Sequence, residues 1–326
     1  MPGGLDRRMD AAVAALTAEG GASAGYGAAG GFVPADLPST LPDFFRTFCA
    51  RHADREAVVA GDERLTFGVI DALSTRAAAG LAGGIGVRPG DRVTIAMRNA
   101  PAWIVCCMAV LKAGAIATLI NGRWVEDELA AAIRLTEPAI VLADQARAAR
   151  IRSADLAVRI IELDVDLAVA EALAPLTAAT PGPLPQIRPE DDATILFTSG
   201  STAAARGAVS THRAVTAAAY TLRTQSLALR AVLIAAGTPP PPPATLIAVP
   251  LFHVTGMVSV LLNSIALGRK MVVMPRWDAG EALRLIEAER VTYFVGVPTM
   301  SLEMMQHSDR PSRDLASLAE PLRNTL

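Results

Sequence analysis

The sequence predicts an α/β protein built of layered, mostly parallel sheets with flanking helices. Short apolar strands alternate with helical segments from Arg92 to Gln306, the order that builds parallel βαβ units. Residues are 52% hydrophobic but only 4% aromatic, so Ala, Val, Leu and Ile carry the apolar excess, which suits helices laid on buried strands. The chain has 326 residues, enough for one large or two ordinary domains at about 150 residues each. With 19% charged residues and a mean hydropathy of +0.35, a disordered, collagen-like or disulfide-stapled chain is excluded.

The elements follow in order. Residues 1–36 are rich in Gly and Ala and read as a flexible leader around one short helix. Leu41, Phe44, Phe45, Phe48 and Cys49 recur at helical spacing, and Arg51–Asp54 closes that helix. Ala57–Ala60 and Arg64–Thr66 read as a hairpin about Gly61-Asp62, followed by a helix through Ile70, Leu73, Ala77 and Leu81 that Gly83-Gly84 stops. Pro89-Gly90 fills the centre of a type II turn and delivers the strand Arg92–Ala96. A helix Pro101–Lys112, a strand Ala115–Ile120, a helix Glu126–Leu135 and a strand Ala139–Leu142 continue the alternation. Residues 166–190 read as a connector. Beyond the segment discussed below come a helix Ala214–Leu229, a proline run Pro239–Pro243 and a strand Ala244–Val249. The run reads as a stiff surface loop, with a polyproline ligand as its alternative. Then come a helix Val254–Leu267, a strand Lys270–Met274, a helix Asp278–Glu289, a strand Val291–Val295 and a helix Thr299–Gln306.

Thirty basic residues against 32 acidic ones leave a formal net charge of -2, which gives no electrostatic reason to expect nucleic acid as a partner. Ala102–Leu111 and Val254–Leu262 are apolar but end before the 18 or so residues of a span, so no integral membrane segment is expected. Cys49, Cys106 and Cys107 offer neither a disulfide framework nor a Cys-x-x-Cys pair, which fits a reducing cytoplasm. The four histidines lack metal-ligand spacing, so no protein metal site is expected. Lys112 and Lys270 are the only lysines, leaving two candidates for any role that demands an ammonium.

The segment from Asp192 to Arg213 carries the chemistry. Thr194–Phe197 is a short apolar strand; Thr198, Ser199, Ser201 and Thr202 set hydroxyls around Gly200; Arg206-Gly207 puts a permanent positive charge beside a flexible backbone position. Such a loop can aim N–H, O–H and guanidinium donors at phosphate oxygens. Composition alone leaves this polyphosphate cradle level with an ordinary Ser/Thr-rich turn. The P-loop pattern Gly-x-x-x-x-Gly-Lys-Ser/Thr does not occur, and Gly84-Ile85-Gly86 lacks the third glycine of the dinucleotide fingerprint.

What the segment resembles is the signature loop of the adenylate-forming enzymes, the acyl-CoA synthetase and AMP-dependent ligase family, with its Thr-Ser-Gly-Ser/Thr-Thr-Gly-x-Pro-Lys-Gly and a following Thr-His pair. Thr198 to Thr202, Gly207, Thr211 and His212 fit it. Pro250-Leu251-Phe252-His253-Val254-Thr255-Gly256 resembles the family's Pro-Leu-Phe-His-x-x-Gly, and Gly296-Val297-Pro298-Thr299 resembles the strand-to-helix segment that walls its acyl pocket. Upstream, Leu65-Thr66-Phe67, Gly90-Asp91-Arg92-Val93, Asn99 and Leu119-Ile120-Asn121 match its usual opening, so the likeness covers roughly residues 38–318.

The resemblance implies the large N-terminal domain of the adenylate-forming fold over residues 37–318. It also implies ATP-dependent activation of a carboxylic acid to an acyl-adenylate, then thioester formation with coenzyme A. ATP, Mg2+ and coenzyme A are the implied cofactors and a fatty acid the implied substrate. Thr198, Ser199, Gly200, Ser201, Thr202, Arg206 and Gly207 would hold the phosphates, with Arg206 and His253 as the catalytic pair and His253, Gly256 and Val297 on the acid. The residue reading of His253 alone keeps a satisfied histidine at a helix start as its alternative. His212 reads as packing at the start of the helix that Ser210 or Thr211 caps.

Three loop positions depart from the pattern: Ala203 for Gly, Ala205 for Pro and Arg206 for Lys. Ala at a positive-φ position is penalised by roughly 1 kcal/mol, and Arg lacks the compact reach of an ammonium, so weakened ATP affinity is expected. The family's Tyr-Gly-x-Thr-Glu and Thr-Gly-Asp segments and its C-terminal lid with the catalytic lysine are not found, and residues 319–326 match nothing expected there. The expectation is a truncated, inactive or impaired ligase. The alternatives are a non-catalytic nucleotide- or acyl-binding remnant, or one part of a split enzyme whose C-terminal part a second chain supplies.

Overall fold

The computed structural model describes residues 3–18, 20–24, 36–198 and 206–318. Its strands are β1 Glu56–Ala60, β2 Glu63–Thr66, β3 Arg92–Ala96, β4 Ile116–Leu119, β5 Ile140–Asp144, β6 Ile160–Leu163, β7 Asp192–Thr198, β8 Arg206–Thr211, β9 Ala244–Ile247, β10 Lys270–Val273 and β11 Tyr293–Phe294. They form a six-stranded sheet ordered β6-β5-β3-β4-β7-β8 and a five-stranded sheet ordered β11-β9-β10-β1-β2. Paired neighbours run parallel except in β1–β2 and β7–β8.

Side-chain alternation along the strands sets the layers. Val93, Ile95, Leu119, Met271 and Val273 point into one core that also takes in the helix Pro101–Lys112, buried from Ala102 to Lys112. A helix apolar on every side belongs between two sheets, and this one lies there. Ala96, Ile120, Val141 and Ala143 face outward onto the helices Glu126–Thr136 and Gln145–Ser153. Leu246, Val272 and Met274 face outward on the other sheet, onto Ala279–Ala288 and Pro298–Gln306. The result is helix, sheet, helix, sheet, helix.

Local chemistry accounts for the ends of these elements. The hydroxyl of Thr40 caps the helix Leu41–Arg51 by accepting from Asp43 N, and Phe44, Phe45 and Phe48 are its buried face. The turn before β3 has Gly90 at φ 82, with Asp91 N donating to Arg88 O at 3.0 Å, as the Pro-Gly pair requires.

The structure adds elements that the sequence reading lacks. Strands β6 and β8 and the helix Gln145–Ser153 are new. The connector 166–190 holds two short helices, Val169–Ala172 and Ala174–Thr177. The helix read as Ala214–Leu229 runs from His212 to Ala235. Within the leader a helix spans Gly3–Thr17; Ser23 Oγ lies 2.7 Å from Thr224 Oγ1, and Arg223 donates to Ala22 O at 2.9 Å. Residues 25–35 and 319–326 lie outside the described residues. No helix among the described residues is long and apolar enough to cross a membrane.

Candidate active site

Asn99 joins the carboxyl ends of the two sheets. It follows β3, donates from Nδ2 to Val249 O at 2.9 Å and accepts through Oδ1 from Leu251 N at 3.0 Å. Val249 and Leu251 follow β9, so the peptide leading to His253 is fixed to the other sheet. An amide can donate to a carbonyl and accept from an N–H at the same time, which a carboxylate or an aliphatic side chain cannot do. Further along, Ala60-Gly61 at the end of β1 and Val273 with Pro275 at the end of β10 face Arg98, Asn99 and Pro101 across a cavity of about 340 Å³. A neighbouring cavity of about 490 Å³ shares Gly61, Arg98 and Asp166 with it. Strand ends from both sheets therefore converge on one cleft, the place where open α/β sheets bind ligands.

His253 stands exposed at the start of a π-helical segment, Thr255–Leu262. Its backbone closes a turn, with N donating to Pro250 O at 3.2 Å and O accepting from Met257 N at 2.9 Å. Thr255 N donates to its Nδ1 at 3.3 Å, so in the neutral ring Nε2 carries the proton, and it has no acceptor among the described residues. A side chain at Gly256 would overlap the carbonyl of Pro250. Glycine lets the π-helical turn pack on the Pro250-Leu251 backbone, so the space it leaves is filled by main chain.

Arg206 opens β8 opposite Thr198 of β7, at the carboxyl edge of the six-stranded sheet. Its side chain is exposed and has no hydrogen-bond or ion-pair partner among the described residues. Gly207 lies opposite Phe197, and a Cβ there would approach Ile195 Cγ2 to 2.8 Å. Phe197 in turn packs edge-on against Trp124 at 5.3 Å, bracing the strand end. Ser199, Gly200, Ser201 and Thr202 lie outside the described residues, as does the side chain of Thr198. Val297 is half-exposed and caps the helix Pro298–Gln306 beyond β11. None of His253, Gly256, Val297 and Arg206 lines the two cavities beside Asn99. The clasp itself went unread in the sequence, where Asn99 entered only as one matching residue.

Both lysines are engaged elsewhere. Lys112 is buried with its ammonium on Asp71 Oδ1 (2.6 Å), Asp71 O (3.0 Å), Ser74 Oγ (2.8 Å) and Thr75 Oγ1 (2.9 Å), and burial pushes its pKa down against the pull of Asp71. Lys270 stands at the amino end of β10, away from the cleft, paired with Glu289 at 2.7 Å and Glu56 at 3.7 Å. His212 is buried at the first turn of its helix, which Thr211 caps, and its Nδ1 accepts from Leu41 N at 3.2 Å. Burial lowers its pKa to about 4. Cys49, Cys106 and Cys107 are free and buried, and burial raises all three thiol pKa values. No group of three or more His, Cys, Asp or Glu able to hold a metal occurs among the described residues.

Known proteins resemble this chain in sequence and in arrangement. The chain is 29% identical over 294 residues to 4-coumarate–CoA ligase 5 of Oryza sativa subsp. japonica, covering 88% of this chain and 52% of that protein. It is 26% identical over 321 residues to the long-chain-fatty-acid–CoA ligase of Bacillus subtilis (strain 168), covering 88% and 56%. The chain thus spans about half the length of the curated relatives it matches. Among solved structures, the inhibitor-bound N-terminal domain of FACL13 from Mycobacterium tuberculosis superposes with a TM-score of 0.72 at 25% identity, covering 88% of this chain and 72% of that one. Residues 45–324 match the AMP-binding enzyme family, to which this chain belongs.

Proposed function

We propose that Arg206 and His253 take part in ATP-dependent activation of a carboxylic acid, the first half-reaction of an acyl-CoA ligase. One carboxylate oxygen attacks the α-phosphorus of ATP, the bond to the β-phosphate oxygen breaks, and pyrophosphate leaves with the electron pair. The products are an acyl-adenylate and pyrophosphate. In the second half-reaction a coenzyme A thiolate attacks the acyl carbonyl and AMP leaves.

The observation that carries this reading is the position of Arg206. A guanidinium free of protein partners among the described residues stands at the carboxyl edge of the sheet, opposite Thr198 and closing the hydroxyl-rich segment 199–205. It answers the charge that gathers on the β- and γ-phosphates as the leaving group departs. His253 offers its Nε2 proton to an oxygen of the carboxylate or the α-phosphate, and the Asn99 clasp fixes the peptide that carries it. The half-exposed Val254 and Val297 offer apolar contact to the body of the acid, which favours an aliphatic, fatty substrate.

Both lysines are held in ion pairs, Lys112 with Asp71 and Lys270 with Glu289. With Ala203, Ala205 and Arg206 standing where the family has Gly, Pro and Lys, ATP binding is expected to be weakened. The test is an ATP titration of the chain beside a variant carrying Ala203→Gly, Ala205→Pro and Arg206→Lys, with pyrophosphate release measured in parallel. Tighter ATP binding by the triple variant supports the assignment of the loop; unchanged binding contradicts it. Steady pyrophosphate release from fatty acid and ATP by the unmodified chain would show that it is catalytically sufficient.

A further inference from the structure

At the amino end of the five-stranded sheet, opposite the cleft, Arg269 lies between Gly268 and β10. It is only 7% exposed, and neither its Nε nor its Nη1 has a hydrogen-bond partner among the described residues. Its guanidinium covers the ring of Tyr293, with Cζ 4.6 Å from the centroid, and no carboxylate among the described residues pairs with it. Arginine stays protonated even where burial lowers its pKa, as it does here. A cation–π contact offsets part of the loss of water, but a buried charge still calls for an opposite charge and for acceptors on its N–H groups.

Two hydroxyls on the same face share this condition. Ser264 Oγ is fully buried and has no partner among the described residues, and Ser264 O accepts from Arg269 N at 2.8 Å, which joins the two backbones. Thr245 Oγ1 is likewise buried and without a partner among the described residues. Thr245 is in register with both Tyr293 and Met271, so its side chain leaves the sheet on the face that the guanidinium covers. Hydroxyl protons rotate freely, so all these groups can act as donors at once. The arrangement has a positive charge, several donors and no acidic side chain.

We propose that Arg269, Ser264 and Thr245 form a binding site for a small inorganic anion of halide size, with chloride as its ordinary occupant. The anion balances the guanidinium and ties the start of β10 to β9 and to β11. Its role is to hold the sheet that carries His253 and Val297, at the end remote from them. The inference is independent of the proposed activity.

Two measurements test it. Melting of the chain is compared in chloride and in gluconate at equal ionic strength, alongside Arg269→Met. Chloride raises the midpoint of the unmodified chain by roughly 2–4 °C, whereas R269M melts at the same temperature in both salts. Replacing a buried ion by an apolar side chain of similar volume is often neutral or stabilising, so R269M is expected to fold. Crystals of the unmodified chain soaked in bromide show an anomalous peak within hydrogen-bond reach of Nε and Nη1. An ordered water there without anomalous signal, or an equal chloride response in R269M, overturns the proposal.

Discussion

The side chain of Asn99 grips the backbone on both sides of Pro250, accepting from Leu251 N at 3.0 Å and donating to Val249 O at 2.9 Å. These residues are about 150 positions apart and belong to different sheets, so one amide sets how the His253 peptide approaches the six-stranded sheet. Asn99→Ala leaves a carbonyl and an N–H without their partner and is expected to lower stability by about 1–3 kcal/mol, read from the urea midpoint at constant m. Asn99→Asp keeps the acceptor but sets a carboxylate against the Val249 carbonyl, and is expected to be no better than alanine.

Gly256→Ala drives a methyl group into the Pro250 carbonyl, within the same stretch of backbone. A loss of about 1–3 kcal/mol is expected from overpacking, together with weaker ligand binding as His253 is displaced. Thermal melting and an acid-binding titration on the same sample separate the two effects. A variant as stable as the parent would show that the peptide yields easily.

How much of this was legible in the sequence depends on which forces are local. The helix Leu41–Arg51 declares itself through Phe44, Phe45 and Phe48 on one face, and the turn before β3 through Pro89-Gly90. Strand β8 does not, because Arg206 to Val209 are all exposed and it is an edge strand with no apolar alternation to read. β6 is the opposite edge and only partly buried, and the helix Gln145–Ser153 buries just Ala148 and Ile151, too few for a stripe. At the site, the motifs about His253 and Arg206 are sequence-local and can be read from one chain. The Asn99 clasp depends on two sheets meeting, and no local pattern encodes it.

Acid sensitivity follows from His212. Its pKa is about 4 in the folded chain against 6.5 unfolded, so between these values the unfolded state binds the proton more readily. Stability is full above pH 6.5 and falls as pH drops toward 4, by about 3 kcal/mol when the transition is complete. Protonation also removes the lone pair that accepts from Leu41 N. His212→Asn keeps an acceptor near that position but does not titrate, so its stability should depend less on pH in this window. Urea midpoints of the two proteins at several pH values check this. A residual slope is expected, because burial and nearby arginines lower the pKa of His52 in the same direction.

Lys112 secures the helix Phe67–Gly80 against the helix Pro101–Lys112 through Asp71, Ser74 and Thr75. Lys112→Ala strands a partly buried carboxylate and two hydroxyls, and is expected to lower stability by about 3 kcal/mol. Adding Asp71→Asn to Lys112→Ala should recover part of that loss, because the stranded charge goes with it. Chemical denaturation of the single and double variants reads the difference.

The central claim is that Arg206 and the segment it closes hold the triphosphate of ATP. Calorimetric titration of the chain and of Arg206→Ala with ATP and with AMP tests it most directly. ATP should bind the unmodified chain more tightly than AMP, and the substitution should weaken ATP binding by roughly tenfold or more while leaving AMP unchanged. Equal ATP affinity in the two proteins would contradict the assignment.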